Sequence, residues 1–252
     1  MDIRRIAVGR TAEIYRYDEG RVLKLLKPGF TAYHAEQEAA SQQAAARAGL
    51  PVPAVSRSIA AQGRFGFVMV QIDGEPLAET AHPIETAHTL ADLHARIHSK
   101  KVSGLPVLRT RLENRINAAA DLSEALRQRA LAMLAYLPNE DTLCHGDFHP
   151  DSVLVGAEGP VIIDWADAAR GHALADVATT LIRFGEIARE TGTDAHSLGD
   201  LRTAYLERYR ALTGASQQAI HTWLMPVAAA RLGDPAVVAR DYLLGVVSGN
   251  PV

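Results

Sequence analysis

The chain has 252 residues and a mass of 27.1 kDa, enough to bury a sizeable core as one large domain or two unequal lobes. Hydrophobic residues make up 48% and charged residues 22%, and a formal net charge of −3 gives no electrostatic grip on nucleic acid or on an anionic membrane. Cys144 is the only cysteine, so no internal disulfide framework is expected; with no signal-peptide-like apolar region in MDIRRIAVGR and no run near the roughly 20 apolar residues of a membrane span, the expectation is a soluble cytoplasmic protein.

In chain order, Thr11 to Tyr17 alternates, Asp18-Glu19-Gly20 signals a turn, and Arg21 to Leu26 continues as a second strand, which predicts a hairpin. Tyr33 to Ala48 is rich in Ala, Gln and Glu, has no internal Gly or Pro and stops at Gly49, the pattern of a helix with a C-terminal glycine. Leu50-Pro51-Val52-Pro53 is an extended break, Gly66 to Ile72 a further strand, and Asp73-Gly74 the turn that closes it. Ile84 to His98 repeats Leu90, Leu93 and Ile97 at three and four residues, which predicts a helix. Strands return briefly at Leu143 to Pro150, Val153 to Val155 and Val161 to Ile163, and the stretch from about 174 to 248 reads as three or four more helices. The expected architecture is α+β, a small β-rich N-terminal lobe over residues 1–72 and a larger, mainly helical lobe over 73–252, with Gln71 to Gly74 as the hinge.

The densest chemistry lies in HGDFHPDSVLV, from His145 to Val155. His145, Asp147 and His149 alternate and would share one face of a strand, which suits a metal-dependent hydrolase. Zinc, however, needs three or four protein ligands and their supporting partners, Pro150 ends the strand at once, and further ligands would have to come from residues as scattered as Asp164 or His172. His94 and His98 sit four apart on a helix beside an apolar stripe, with no Glu after His94, so they are not the metalloprotease signature.

Phosphoryl transfer makes a different demand: a carboxylate for the acceptor's proton, oxygen ligands for a metal, and a lysine on the nucleotide. Asp147 lies in the loop, Ser152 follows five residues later, and Asp164 ends the apolar run Val161 to Ile163, so a hairpin turning at Gly156-Ala157-Glu158-Gly159 can gather them. Lys24 is embedded in the apolar strand Val22 to Leu26, where a bare ammonium is costly to bury, and Glu38 on the following helix can partner it.

From Val8 to about Ala178 the chain resembles the aminoglycoside phosphotransferase and choline kinase-like family, most specifically in "CHGDFHPDSVLV" and "VIIDWADAARGHALADVA". The resemblance implies a two-lobed protein kinase-like fold that moves the γ-phosphoryl group of ATP or GTP, with Mg2+, to a hydroxyl of a small molecule such as an aminoglycoside, sugar or amino alcohol. It implies Asp147 as catalytic base, Asp164 and Ser152 as metal ligands, and Lys24 on the α and β phosphates, held by Glu38, with Glu36 the competing choice. His145 and Asp176 would brace the catalytic loop, and His149 would stabilise it. Gly9 would lie in the phosphate-covering loop, Val22, Leu154 and Ile163 around the adenine, and Met69, Gln71 and Ile72 along the hinge that reads its edge.

Two departures from the family pattern stand out. The loop Val8 to Glu13 holds one glycine, not three, which leaves the backbone less free to approach phosphates. Ser152 stands where the family usually has asparagine; a shorter hydroxyl can ligate Mg2+ or hold it through water, giving a kinase with a loosened second metal site, or else a nucleotide-binding protein without turnover. Beyond Val177, Glu186, Glu190, Asp194, Asp200, Glu207, Asp234 and Asp241 are matched by seven arginines and read as solvated helix faces, so no acidic cluster marks a polycation site. Trp223 and Tyr242 read as core or as pocket lining, and no extended activation segment for a protein substrate separates Asp164 from Gly171.

Overall fold

The computed structural model describes residues 4–80 and 82–250, which pack as two compact units. The first holds the chain up to Thr80 and returns for Asp151–Ala168; the second holds the remainder. Among the described residues no helix is long and apolar enough to cross a membrane.

The first unit is built on an antiparallel sheet of strands β1 (Arg5–Val8), β2 (Ala12–Asp18), β3 (Arg21–Leu26), β4 (Val55–Ala61) and β5 (Arg64–Val70), ordered β1-β2-β3-β5-β4. The hairpin of β2 and β3 is the expected one, whereas β1 and β4 are additions: both lie on the sheet's edges, and β1, exposed along its whole length, carries no buried face for a pattern to reveal. β3 is central, and from Val22 to Leu26 every residue is buried. Its period of two divides it: Leu23 and Leu25 pack with Val68 on one face, and Leu26 packs with Ala35 on the other, which is also the face of Lys24. Ala35 belongs to helix α1 (Ala32–Arg47), so the next turn of that helix brings Glu38 over Lys24. Glu36, on another face, is exposed.

The unit is completed by β6 (Gly74–Pro76), the short helix α2 (Leu77–Thr80) and the hairpin of β8 (Val153–Gly156) and β9 (Gly159–Ile162), which form a sheet ordered β6-β8-β9. Gly156 faces Gly159 across the predicted turn. The Ile162 amide donates to the Pro51 carbonyl at 2.8 Å, which fixes the hairpin to the extended break after α1.

The second unit contains helices α3 (Pro83–His98), α4 (Leu108–Ala118), α5 (Glu124–Tyr136), α6 (Ala173–Thr191), α7 (Ala195–Thr213), α8 (Gln217–Leu232) and α9 (Arg240–Ser248), with a two-stranded ribbon of β7 (Thr142–Cys144) and β10 (Ala169–Gly171). Its core gathers Ile116, Leu134, Cys144, Ile182, Trp223 and Val246. Cys144 is an inert core residue whose thiol burial pushes well up. Trp223 is likewise core, stacked on His172 at 5.2 Å between centroids.

A buried polar knot joins α3, α6 and α7. Asp176 in the first turn of α6 accepts from the His94 and His98 imidazoles at 3.2 and 3.3 Å. The opposite nitrogens of those rings meet the hydroxyls of Tyr205 and Tyr209 at 2.6 and 2.7 Å. The carboxylate fixes the tautomers: each Nε2 carries the proton toward Asp176, and each Nδ1 accepts from its tyrosine. Burial, reinforced by the neighbouring His98, holds the His94 imidazole down to about 3. Burial alone would raise the Asp176 carboxyl, but the hydrogen bonds from His94 and His98 hold it well below the usual carboxylate range.

Two expectations follow from this packing. A Cβ at Gly66 would press on the Lys24 carbonyl and lie 2.9 Å from Leu25 Cα, so Gly66→Ala has to spread β3 from β5; thermal or urea melts are expected to show a loss of about 3 kcal/mol. His94 has its folded-state value below the ordinary 6.5, so its contribution to stability is whole above pH 6.5 and drains away as the pH falls toward about 3, with Asp176 adding a further loss below 3.8. Urea melts between pH 7 and 4.5 should show this decline, and His94→Gln should flatten its upper part.

Candidate active site

In the first unit Lys24, 8% exposed, is held between two carboxylates: its Nζ donates to Glu38 Oε1 at 2.5 Å and to Asp164 Oδ1 at 2.8 Å. Of the two glutamates the sequence offered, the one paired is Glu38. Asp164 lies two residues beyond β9 with φ at +67°, a left-handed conformation that aspartate tolerates better than most residues and that marks a constrained site. Its side chain remains 47% exposed beside a buried ion pair.

In this group one ammonium serves two carboxylates. Burial favours the neutral amine, but Asp164 and Glu38 more than offset it and Lys24 stays protonated. Glu38 is pushed up to about 7, first by burial and then by the charge of Asp164 acting against the pull of Lys24. Glu38 and Asp164 thus share one ammonium, and the more exposed of the two carboxylates is Asp164.

Ser152 is buried, and its carbonyl accepts the Ile163 amide at 2.9 Å, so Ser152 and Asp164 emerge at the same end of the β8–β9 hairpin. These are hard oxygen donors, a set suited to Mg2+ rather than to zinc. Among the described residues, the set of three potential metal ligands that comes together is instead His94, His98 and Asp176, whose ligating atoms are all used in the hydrogen bonds of the knot. His145, Asp147 and His149, the alternative hydrolase set, do not gather as one.

The other predicted nucleotide residues of this unit also have places. Gly9 starts the turn between β1 and β2, its amide donating to the Ala12 carbonyl at 2.8 Å. Val22 is buried opposite Met69 in the β3–β5 register, and Leu154 and Ile163 are half-buried on and beside the hairpin. Along the segment expected to form the hinge, which lies within this unit, the amides of Val70 and Gln71 donate to the Ala54 and Gly20 carbonyls, both at 2.9 Å.

In the second unit, β7 delivers the chain to Asp147 and β10 leads into α6, so the pairing of Cys144 with Ala169 sets the loop against the helix start. Asp176 accepts the His145 amide at 2.6 Å and the Gly146 amide at 2.8 Å. Gly146 turns with φ at +86°, a conformation glycine adopts without cost. The His145 imidazole lies 3.4 Å from the Asp147 amide, and Phe148, fully buried, offers its carbonyl to Thr180 Oγ1 at 2.9 Å. Asp147 itself is 8% exposed, with Arg183 Nε 2.8 Å from Oδ1 and His149 Nε2 4.0 Å from Oδ2.

Three charged residues of this unit depart from the solvated faces expected of them. Arg183, Glu186 and Arg231 are all buried and ion-paired in series, because α8 covers the side of α6 that carries them. Tyr242 is half-buried, with Arg189 stacked 3.9 Å above its ring and Arg202 3.2 Å from its hydroxyl. The sequence holds no motif for any of these; only the regular spacing of Asp176, Thr180 and Arg183 hints that they share one helix face.

The sequence profile of the phosphotransferase enzyme family matches residues 2–237. No curated protein sequence matches significantly. Among solved structures, aminoglycoside-3'-phosphotransferase of type VIII is 22% identical, with 90% of this chain and 91% of that one covered at a TM-score of 0.64. The amicoumacin kinase hAmiN, solved with AMP-PNP, Ca2+ and Ami, is 14% identical over 99% of this chain and 89% of its own, at 0.67. Aminoglycoside phosphotransferase APH(3'')-Id from Streptomyces rimosus, solved with ADP and streptomycin, is 16% identical over 90% and 92%, at 0.62. These likenesses fix a kinase-like fold, and with the profile match they make this chain a member of the phosphotransferase enzyme family.

Proposed function

We propose that the protein is a Mg2+-dependent kinase that moves the γ-phosphoryl group of ATP or GTP to a hydroxyl of a small molecule. The observation that carries the reading is Lys24 shared between Glu38 and Asp164, an ammonium kept charged in a buried strand and bonded to a carboxylate that is half open to solvent. On nucleotide binding, Lys24 keeps Glu38 as its anchor and turns its remaining donors to the phosphates, while Asp164 and Ser152 hold the metal. Bound there, Mg2+ neutralises phosphate charge in the transition state. Asp147 accepts the proton of the acceptor hydroxyl, and Asp176 and His145 keep its loop in place. With the amides of Val70 and Gln71 already spent on the sheet, reading of the base edge passes to Ile72.

The acceptor falls to the second unit, and the charges there speak against a polycation. Glu186 is consumed by Arg183 and Arg231, Asp234 by Arg231, and Asp194 by the capping of α7, so these three carboxylates are already engaged within the protein. A neutral sugar or an amino alcohol fits better than the streptomycin named with one relative. Such a donor and acceptor are supplied in the cytoplasm.

ATP consumption with Mg2+ across a panel of sugars, amino alcohols and aminoglycosides tests the proposal. Acceptor-dependent turnover is expected, reduced at least about 100-fold in Asp147→Ala. A folded, ATP-binding protein inactive across the whole panel would be a nucleotide-binding protein instead. Ser152→Asn supplies a longer carbonyl ligand, and it is expected to lower the Mg2+ concentration needed for half-maximal rate; an unchanged Mg2+ dependence would contradict the role given to Ser152.

A further inference from the structure

One face of α6 grips the loop of Asp147 at three successive points. Asp176 takes the amides of His145 and Gly146, Thr180 takes the carbonyl of Phe148, and Arg183 lies 2.8 Å from Asp147 Oδ1, at intervals of four and three residues. The first two contacts hold backbone. The third reaches the carboxylate itself, as a close ion pair lying off the hydrogen-bond axis.

Arg183 is itself held from behind. Its Nη1 donates to Glu186 Oε2 at 2.7 Å, both Glu186 oxygens lie 3.2 Å from Arg231 Nε, and Arg231 Nη1 donates to Asp234 Oδ2 at 2.9 Å. The sequence of charges, Asp147, Arg183, Glu186, Arg231, Asp234, alternates in sign without interruption, and its three central members are each less than about 7% exposed. A surface arginine would sample many rotamers; one locked by a buried glutamate presents a fixed guanidinium.

We infer that Arg183 is a positioning residue for Asp147: it sets the carboxylate's plane and keeps its charge in place for the acceptor, and Glu186 and Arg231 act through it. The inference rests on the assignment of Asp147 as the base. It makes the α6–α8 contact, not the loop alone, a determinant of the chemical step.

The test compares Arg183→Met, Arg183→Lys, Glu186→Gln and the double variant Arg183→Met with Glu186→Gln, using Asp147→Asn as reference. Rates are read on the acceptor that gives turnover or, without one, on ATP hydrolysis by water. Misplacing a reacting group by about 1 Å costs on the order of 100-fold, so kcat of Arg183→Met should fall about 10- to 100-fold. KM for ATP should stay within about twofold, because Lys24 and Asp164 belong to the other unit. Arg183→Lys should recover part of kcat. The double variant should be no slower than Arg183→Met, since Glu186 has nothing left to act through. Should Arg183→Met fail to fold, Arg183→Lys and Glu186→Gln carry the same split of kcat from KM. If Asp147→Asn is inactive while the Arg183 variants stay within about threefold of the parent, or lose kcat only with a matching rise in KM, the inference fails and the kinase reading stands. If Asp147→Asn is as active as the parent, it is the assignment of the base that fails.

Discussion

The ammonium of Lys24 is the point on which the first unit turns. An isolated charge inside a strand whose neighbours are Leu23 and Leu25 would be expelled or neutralised; two carboxylates make it tenable. They do so unequally. Glu38 is enclosed with the lysine and is its structural partner, and removing one member of such a pair costs about 3–5 kcal/mol. Asp164 is half open to solvent, so its bond to Lys24 is the one that can be exchanged. An interaction with one permanent and one replaceable partner is what a lysine needs if it is to wait for phosphates without collapsing the strand that carries it.

The second unit solves the complementary problem of holding a carboxylate still. Asp176 spends its lone pairs on two amides and two imidazoles, and the tyrosines behind the imidazoles close the circuit in α7. Every side-chain donor named in that knot has an acceptor, which is why it can be buried. The loop is therefore tied to three helices through one aspartate, and Asp147 is presented from a backbone with little freedom.

How much of this could be read along the chain depended on whether a residue's surroundings were local. Lys24 betrays itself through its apolar flanks, and Glu38 through the family resemblance, with Glu36 its competitor; that Ala35, one turn before Glu38, meets Leu26 shows only in the fold. The hairpin from Val153 to Ile162 is announced by its turn and its apolar strands. Strands β1 and β4 escape because edge strands lack a buried face to pattern them. His94 and His98 look like ornaments of an apolar stripe until Asp176, some eighty residues on, arrives between them. Arg183, Glu186 and Arg231 look solvated for the same reason: a helix full of charges reads as a surface unless one knows that another helix covers it. Ser152 stands out in the sequence as a departure from the family pattern, and in the fold it is buried with its carbonyl paired to the Ile163 amide.

The most direct test of the account is a calorimetric titration with ATP, in the presence and absence of Mg2+, of the parent protein and of Asp164→Asn. If Asp164 is the replaceable partner of Lys24 and the metal's carboxylate, Mg2+ should tighten ATP binding to the parent by at least about tenfold, or about 1.4 kcal/mol, and should leave the affinity of the variant nearly unchanged. An equal tightening in both proteins would place the metal elsewhere and contradict the role of this cluster.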